Sequence, residues 1–205
     1  MYKGDIIEVF ITSPSDVVEE RKIVHNLIEE WNVINTKKQK MILRSITWEK
    51  DLHSSFGESP QSIINEQILD DADILIGIFN ARLGTPTKEH DSGSVEEIKR
   101  HIEQNKPAML YFSNDKINRD TFDNEQYDKL KLFKDWCKDK SVYFEYNDTT
   151  EFTKIVRTQI GLLLNNTDYF YEEIPYNQPE RYRKPPQKQN DLIQFLMRLH
   201  EFTDN

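Results

Sequence analysis

Short apolar runs alternate along this chain with longer segments whose apolar residues recur at helical spacing. Ile6–Thr12, rich in Ile, Val and Phe, predicts a first strand. Asp16 follows as a helix cap, with Glu19 placed to complete a capping box. Ile23, Val24, Leu27, Ile28 and Trp31 then form one apolar stripe. Ile42–Trp48 predicts a second strand, with less clean alternation. Ser59-Pro60 reads as a helix start, because proline is tolerated at the first helical position, and Ile63, Ile64 and Ile68 follow on one face. Ile74–Phe79 is apolar throughout, as in a parallel strand buried on both faces. A helix from about Ser94 to Asn105 precedes the strand Ala108–Phe112, with Pro107 at the break. Gln126–Lys138 predicts a helix with Tyr127, Leu130 and Phe133 inward. Val142–Tyr146 is the fifth strand, and Asp148-Thr-Thr-Glu151 is a capping box opening a last helix to about Leu164.

Strand and helix in regular alternation, joined by short loops, predict a three-layer α/β fold: a five-stranded parallel sheet with helices on both faces. The expected strand order is flavodoxin-like, with a ligand crevice near strands one and three. This domain is expected to span residues 1–166. Beyond it, residues 167–189 carry prolines and tyrosines with no periodicity, which predicts an extended arm or linker. Residues 190–205 predict a short amphipathic helix bearing Leu192, Ile193, Leu196 and Leu199.

Composition narrows the function classes. Charged residues make up 31% of the chain and hydrophobic residues 37%, as in a globular protein with a polar surface. The formal charge of −9 argues against direct nucleic-acid binding and against an anionic membrane as partner. It leaves room for a small nucleotide, because a local loop can be basic inside an acidic protein. Cys137, the only cysteine, rules out an intramolecular disulfide and a cysteine-based zinc site, and its place beside Trp136 in a helical pattern predicts core packing. His25, His53, His90, His101 and His200 show no metal-ligand spacing, so no metal is expected. No apolar stretch approaches membrane-spanning length, and the start at Met1 lacks a signal peptide's apolar segment. The expectation is a cytoplasmic protein.

Chemistry concentrates in Asp73-Ile-Leu-Ile-Gly-Ile-Phe-Asn-Ala-Arg-Leu-Gly-Thr-Pro86 and Asp91-Ser-Gly-Ser-Val-Glu-Glu-Ile98. An apolar strand ends in a glycine–proline loop that feeds a helix with Glu96 and Glu97 near its start. That puts carboxylates at the carboxyl end of a central strand, where open α/β sheets bind ligands. Ser94, Glu97 and His101 share one helix face, while Val95, Ile98 and Ile102 form the buried stripe. Glu96 lines up with Arg100 at i,i+4 as a solvent-facing ion pair, and His101 is expected to be exposed. On the residues alone, Ser94 as a cap with Glu97 completing a capping box is the stronger reading. The loop Ser13-Pro14-Ser15 precedes a helix whose backbone N–H groups suit phosphate or ribose hydroxyls, and simple capping is an equal alternative. It lacks the Walker glycine pattern and lysine, so ATP hydrolysis finds no support. Arg82 suits a diphosphate, or else an ion pair with Asp51, Glu89 or Asp91. Trp48 and Phe79 end neighbouring strands and offer flat faces to a base, although aromatics there more often belong to the core. Ser92 and Asp91 terminate the loop, and Glu49 is a second candidate carboxylate.

Six segments in order carry a resemblance over about residues 5–115: Phe10-Ile-Thr-Ser-Pro-Ser-Asp-Val-Val-Glu-Glu-Arg21, Trp48-Glu49, Pro60-Gln61, Asn65, Arg82-Leu-Gly-Thr-Pro86 and Ser92-Gly-Ser-Val-Glu-Glu-Ile98. Together they resemble a TIR-like domain of unknown function that often forms the N-terminus of larger signalling (STAND) NTPases. More distantly, Gly93-Ser-Val-Glu-Glu-Ile98 and Lys106-Pro107 resemble nucleoside 2-deoxyribosyltransferases, and TIR NAD-cleaving enzymes place a glutamate on the helix after the third strand. The resemblance implies cleavage of an N-glycosidic bond, with NAD or a related nucleotide as substrate and no cofactor. It implies Glu97 as the catalytic residue, since Glu97 occupies the motif's glutamate position, and reverses the capping-box preference. A carboxylate there can stabilise or attack the cation that forms as the base departs, and a helix N-terminus favours its charged form. Ser13, Ser15, Trp48, Phe79, Arg82 and Ser92 would frame the nucleotide. Self-association or a partner signalling protein, and a role in antiviral defence or stress signalling, are implied in the same way. The alternatives are a non-catalytic nucleotide-sensing or self-association module, and a deoxyribosyltransferase working through a covalent sugar–Glu97 intermediate.

Overall fold

The computed structural model describes residues 4–47, 69–86, 92–115, 122–138 and 143–165. Within them, β1 (Asp5–Thr12), β2 (Met41–Ile46), β3 (Ile74–Phe79), β4 (Ala108–Ser113) and β5 (Tyr143–Tyr146) form one parallel sheet in the order β2-β1-β3-β4-β5. This is the flavodoxin-like order. The helices are α1 (Val18–Gln39), α2 (Gly93–Glu103), α3 (Asn124–Lys138) and α4 (Thr149–Asn165). The expected helix at Ser59-Pro60, Trp48 and Glu49, the arm at 167–189 and the helix at 190–205 lie outside the described residues. No helix among the described residues is long and apolar enough to cross a membrane.

Successive strand residues point to opposite faces, and both faces are covered. Ile7, Val9 and Ile11 of β1 and Ile74, Ile76 and Ile78 of β3 pack with Val24, Leu27 and Ile28 of α1 and Phe152, Val156 and Ile160 of α4. Phe10, Leu75, Phe79 and Phe112 pack on the other side with Val95 and Ile98 of α2 and with Leu130, Phe133 and Cys137 of α3. Two-sided burial is why β3 reads as an apolar run without alternation.

The helix starts differ from one another. Asp148 and Glu151 cap α4 as expected: the Glu151 N–H donates to Asp148 Oδ1 at 2.8 Å, and the Glu151 carboxylate reaches back to the Asn147 N–H at 2.8 Å. The box expected at Asp16 and Glu19 does not form. Val17 is the N-cap of α1 and no side chain caps it. The Asp16 carboxylate instead accepts the Ala81 N–H at 3.0 Å, tying the β1–α1 loop to the end of β3.

One glycine sets how closely α2 approaches the sheet. A Cβ on Gly77 would lie 2.8 Å from Leu110 Cδ2 and 3.1 Å from Ile98 Cδ1. With no side chain at Gly77, Ile98 seats directly over β3. Gly77 is also the register partner of Thr12, so α2 passes over the point where β1 ends.

Candidate functional site at the carboxyl ends of β1 and β3

The chain leaves β1 toward β2 on one side and leaves β3 toward β4 on the other. This reversal opens a crevice at the carboxyl ends of β1 and β3, the ligand position in open α/β sheets. The crevice is built from Thr12, the loop after it, the loop from Asn80 to Pro86, and the start of α2.

Thr12 shares the strand face of Phe10 and so points toward α2. Its hydroxyl donates to Glu97 Oε2 at 2.5 Å, and the two residues are 2% and 5% exposed. The bond joins positions 85 residues apart and holds the helix to the first strand. This corrects the capping-box reading of Glu97. The N-cap of α2 is Ser92 in extended conformation, so Ser94 already lies in the first turn and Glu97 lies beyond it.

Ser92 is fully buried, and its hydroxyl donates to the Leu83 carbonyl at 2.6 Å. Gly84 has φ +115°, in the region that favours glycine, and a Cβ there would meet Ser92 Oγ at 2.7 Å. The Gly84 N–H donates to Gln126 Oε1 at 3.1 Å, and the Gly93 N–H to the Thr85 carbonyl at 3.1 Å. Ser92 therefore knits the loop to the head of α2.

The remaining sequence candidates separate by burial. Phe79 is fully buried, stacked on Phe112 at 5.3 Å and tilted against Phe133 at 5.4 Å, so it is a core residue. Ser15 and Arg82 are exposed, and the ion-pair partners expected for Arg82, namely Asp51, Glu89 and Asp91, lie outside the described residues. Ser13 is half-buried. Trp48 lies outside the described residues. Arg100 does not make the expected pair with Glu96; it holds Asp70 through two nitrogens, the closer at 2.7 Å.

His101 reverses its expectation. It is fully buried, and its Nε2 hydrogen-bonds the Pro107 carbonyl at 3.0 Å. Burial, reinforced by the charge of Lys106, lowers its pKa to about 3, against the opposing effect of the Pro107 bond. His101 is thus a neutral anchor between the end of α2 and the start of β4.

Three polar residues that the sequence motifs do not single out as site candidates also stand at this end of the sheet: Thr12, Asp16 and Asn80. Ser13 Oγ, Asp16 Oδ1 and Asn80 Oδ1 are shielded from solvent with no hydrogen-bond partner among the described residues. Leaving such an atom unsatisfied costs about 1–3 kcal/mol. A signal was present for Thr12 and Asn80, since each is a polar residue at the end of an apolar strand.

No curated protein matches the chain. Among solved structures it is similar to a conserved protein from Enterococcus faecalis V583, at 10% identity over 75% of this chain and 99% of that one, with TM-score 0.39. It is similar to translation elongation factor SelB from Methanococcus maripaludis in its apo form, at 12% identity over 87% and 39% of the two chains, with TM-score 0.47. A flavodoxin from Streptococcus pneumonia TIGR4 matches at 14% identity over 74% and 92%, with TM-score 0.32. These scores are all below 0.5 and carry no argument about function. Residues 8–161, from within β1 into α4, match the family model for a domain of unknown function, DUF4062, and the chain belongs to that family.

Proposed function

We propose that the domain binds a nucleotide in the β1/β3 crevice and cleaves its N-glycosidic bond, with Glu97 as the catalytic residue and NAD as the candidate substrate. The observation that supports this most is the Thr12–Glu97 hydrogen bond, which fixes a buried carboxyl group where an α/β sheet takes its ligand. A TIR-like ancestry, a place in antiviral defence or stress signalling in the cytoplasm, and self-association or a signalling partner belong to the same proposal.

In the reaction, the bond from the anomeric carbon to the base nitrogen breaks, and its electron pair leaves with the base. From NAD the base departs as neutral nicotinamide. Positive charge spreads over the anomeric carbon and ring oxygen, and the Glu97 carboxylate stabilises it. Water then adds to the anomeric carbon and releases a proton to solvent, leaving ADP-ribose. Thr12 is a positioning residue that holds the carboxyl group in one orientation. Exposed Arg82 suits the diphosphate, because its planar fork matches phosphate oxygens. Ser13 and Ser15 lie on the loop beside it. Ser92 acts through the loop it holds, and Phe79 through the core.

A non-catalytic nucleotide sensor is the second reading. The same hydrogen bond favours it, because it makes Glu97 a tether between α2 and β1. The test is concentrated protein, wild type and Glu97→Gln, incubated with NAD and a panel of nucleosides and 2-deoxynucleosides and read by mass-resolved chromatography. Free base from wild type, with the rate lowered on the order of 10²–10³-fold in the variant, is the expected result. Ligand binding without turnover at any concentration would leave the sensor. Transfer of deoxyribose to a second base through an adduct on Glu97 would mark a deoxyribosyltransferase.

A further inference from the structure

Native proteins leave few buried polar side-chain atoms without a partner, yet Ser13 Oγ, Asp16 Oδ1 and Asn80 Oδ1 are three such atoms on the two loops that follow β1 and β3. Their loops are in contact. Asp16 Oδ2 holds the Ala81 N–H at 3.0 Å, and Pro14 lies 3.8 Å from a Cβ built on Gly84. Ser13 directly follows Thr12, the donor to Glu97. Each of the three residues keeps part of its surface in solvent while the oxygen in question does not.

The chemistry of the set selects its ligand. A carboxylate oxygen and an amide oxygen accept hydrogen bonds, and a serine hydroxyl accepts or donates. Phosphate brings further acceptors and places negative charge against Asp16. Among the described residues a planar base gains no stacking partner here, since Phe79 is covered by Phe112 and Phe133. A vicinal diol brings two donors on adjacent carbons, which matches acceptors on two touching loops. We infer that Ser13, Asp16 and Asn80 form a sugar subsite that takes the 2′- and 3′-hydroxyls of a ribosyl group. The inference rests on the glycosidase reading for its orientation: with the anomeric carbon facing Glu97, the 2′-carbon is the next atom of the ring. It makes ribonucleosides and ribonucleotides the substrate class and sets 2-deoxynucleosides aside.

Calorimetric titration of the full chain with NAD, nicotinamide riboside, 2′-deoxynicotinamide riboside and inorganic pyrophosphate tests it. NAD and the riboside are expected to bind, and loss of the 2′-hydroxyl to weaken binding roughly 10- to 100-fold. Asp16→Asn should weaken the riboside by a similar factor and leave the 2′-deoxy analogue nearly unchanged, as for two groups that interact directly. Because Asp16 also holds the Ala81 N–H, Ser13→Ala is the second variant, with a smaller effect of the same pattern. Equal affinity for riboside and 2′-deoxy analogue, binding of pyrophosphate alone, or no binding of any probe would overturn the subsite. The two proposals fail separately. Diol selectivity without base release removes the glycosidase and keeps the subsite, whereas base release from ribosides and deoxyribosides alike removes the subsite and keeps the glycosidase.

Discussion

The sheet face under α1 and α4 and the face under α2 and α3 are both closed, but they admit different groups. Under α1 and α4 the packed cluster is aliphatic and aromatic, from Ile7 to Leu164. The buried polar residue of α4, Gln159, is 1% exposed, and neither atom of its amide has a partner among the described residues. Around α2, Thr12, Ser92, Glu97 and His101 are all buried and each takes part in a hydrogen bond. One face is held mainly by apolar packing, with Asn32 of α1 bonded to the Leu43 backbone and the Tyr146 hydroxyl donating to Glu20 at its edge. The other gives up part of its apolar packing to hold polar groups at fixed positions, as a site requires.

The largest effect should come from the apolar face. Phe152 is fully buried and packs its ring on Tyr111 at 5.4 Å and Tyr146 at 4.7 Å. Phe152→Ala should destabilise the domain by about 3–5 kcal/mol in denaturant unfolding, with ligand affinity unchanged where the variant is still folded. Loss of affinity without loss of stability would mean that this face takes part in the site.

Two nearly isosteric changes sharpen the comparison at a smaller scale. Thr12→Val removes the donor that Thr12 supplies to Glu97 and should cost about 1–3 kcal/mol, because a buried acceptor loses a partner. Gln159→Leu removes a buried amide that has no partner and should stabilise by a similar amount. Nothing among the described residues explains why a glutamine stands there. Thermal or urea unfolding of the two variants reads the sign directly. The same sign for both would erase the distinction between the faces.

Much of this was legible along the chain, and what was not is non-local. The apolar runs located β1, β3 and β4, and their alternation with helices implied the parallel sheet. The motif around Glu97 singled out the residue but not its partner. Thr12 is 85 positions away and becomes a neighbour only once β1 lies beside β3 and Gly77 lets α2 come close. That approach also accounts for His101. Helical periodicity confined burial on α2 to Val95, Ile98 and Ile102, whereas a helix seated on a glycine buries a wider arc, and Glu97 and His101 fall inside it. Asp16 was misread because capping is a local rule, and its carboxylate had a better-placed donor on another strand's loop.

The smallest predicted effect asks whether the α2 face is as rigid as its hydrogen bonds imply. Burial holds the pKa of His101 at about 3, below the ordinary value of 6.5. Between those values the unfolded chain binds a proton that the native state does not. The stabilisation is therefore complete above pH 6.5 and is lost as pH falls toward 3. From pH 7 to 6 the loss is under about 1 kcal/mol, and the slope at lower pH approaches about 1.4 kcal/mol per unit. His101→Gln keeps a side-chain N–H for the Pro107 carbonyl but cannot titrate. It should shift the stability curve by some constant amount and flatten it between pH 7.5 and 5.5, a window chosen to stay above most carboxylate titrations. A variant curve parallel to wild type would mean that His101 takes up its proton in the folded state. In that case the end of α2 opens readily, and Glu97, one turn away, is held by Thr12 more than by the packing of its helix.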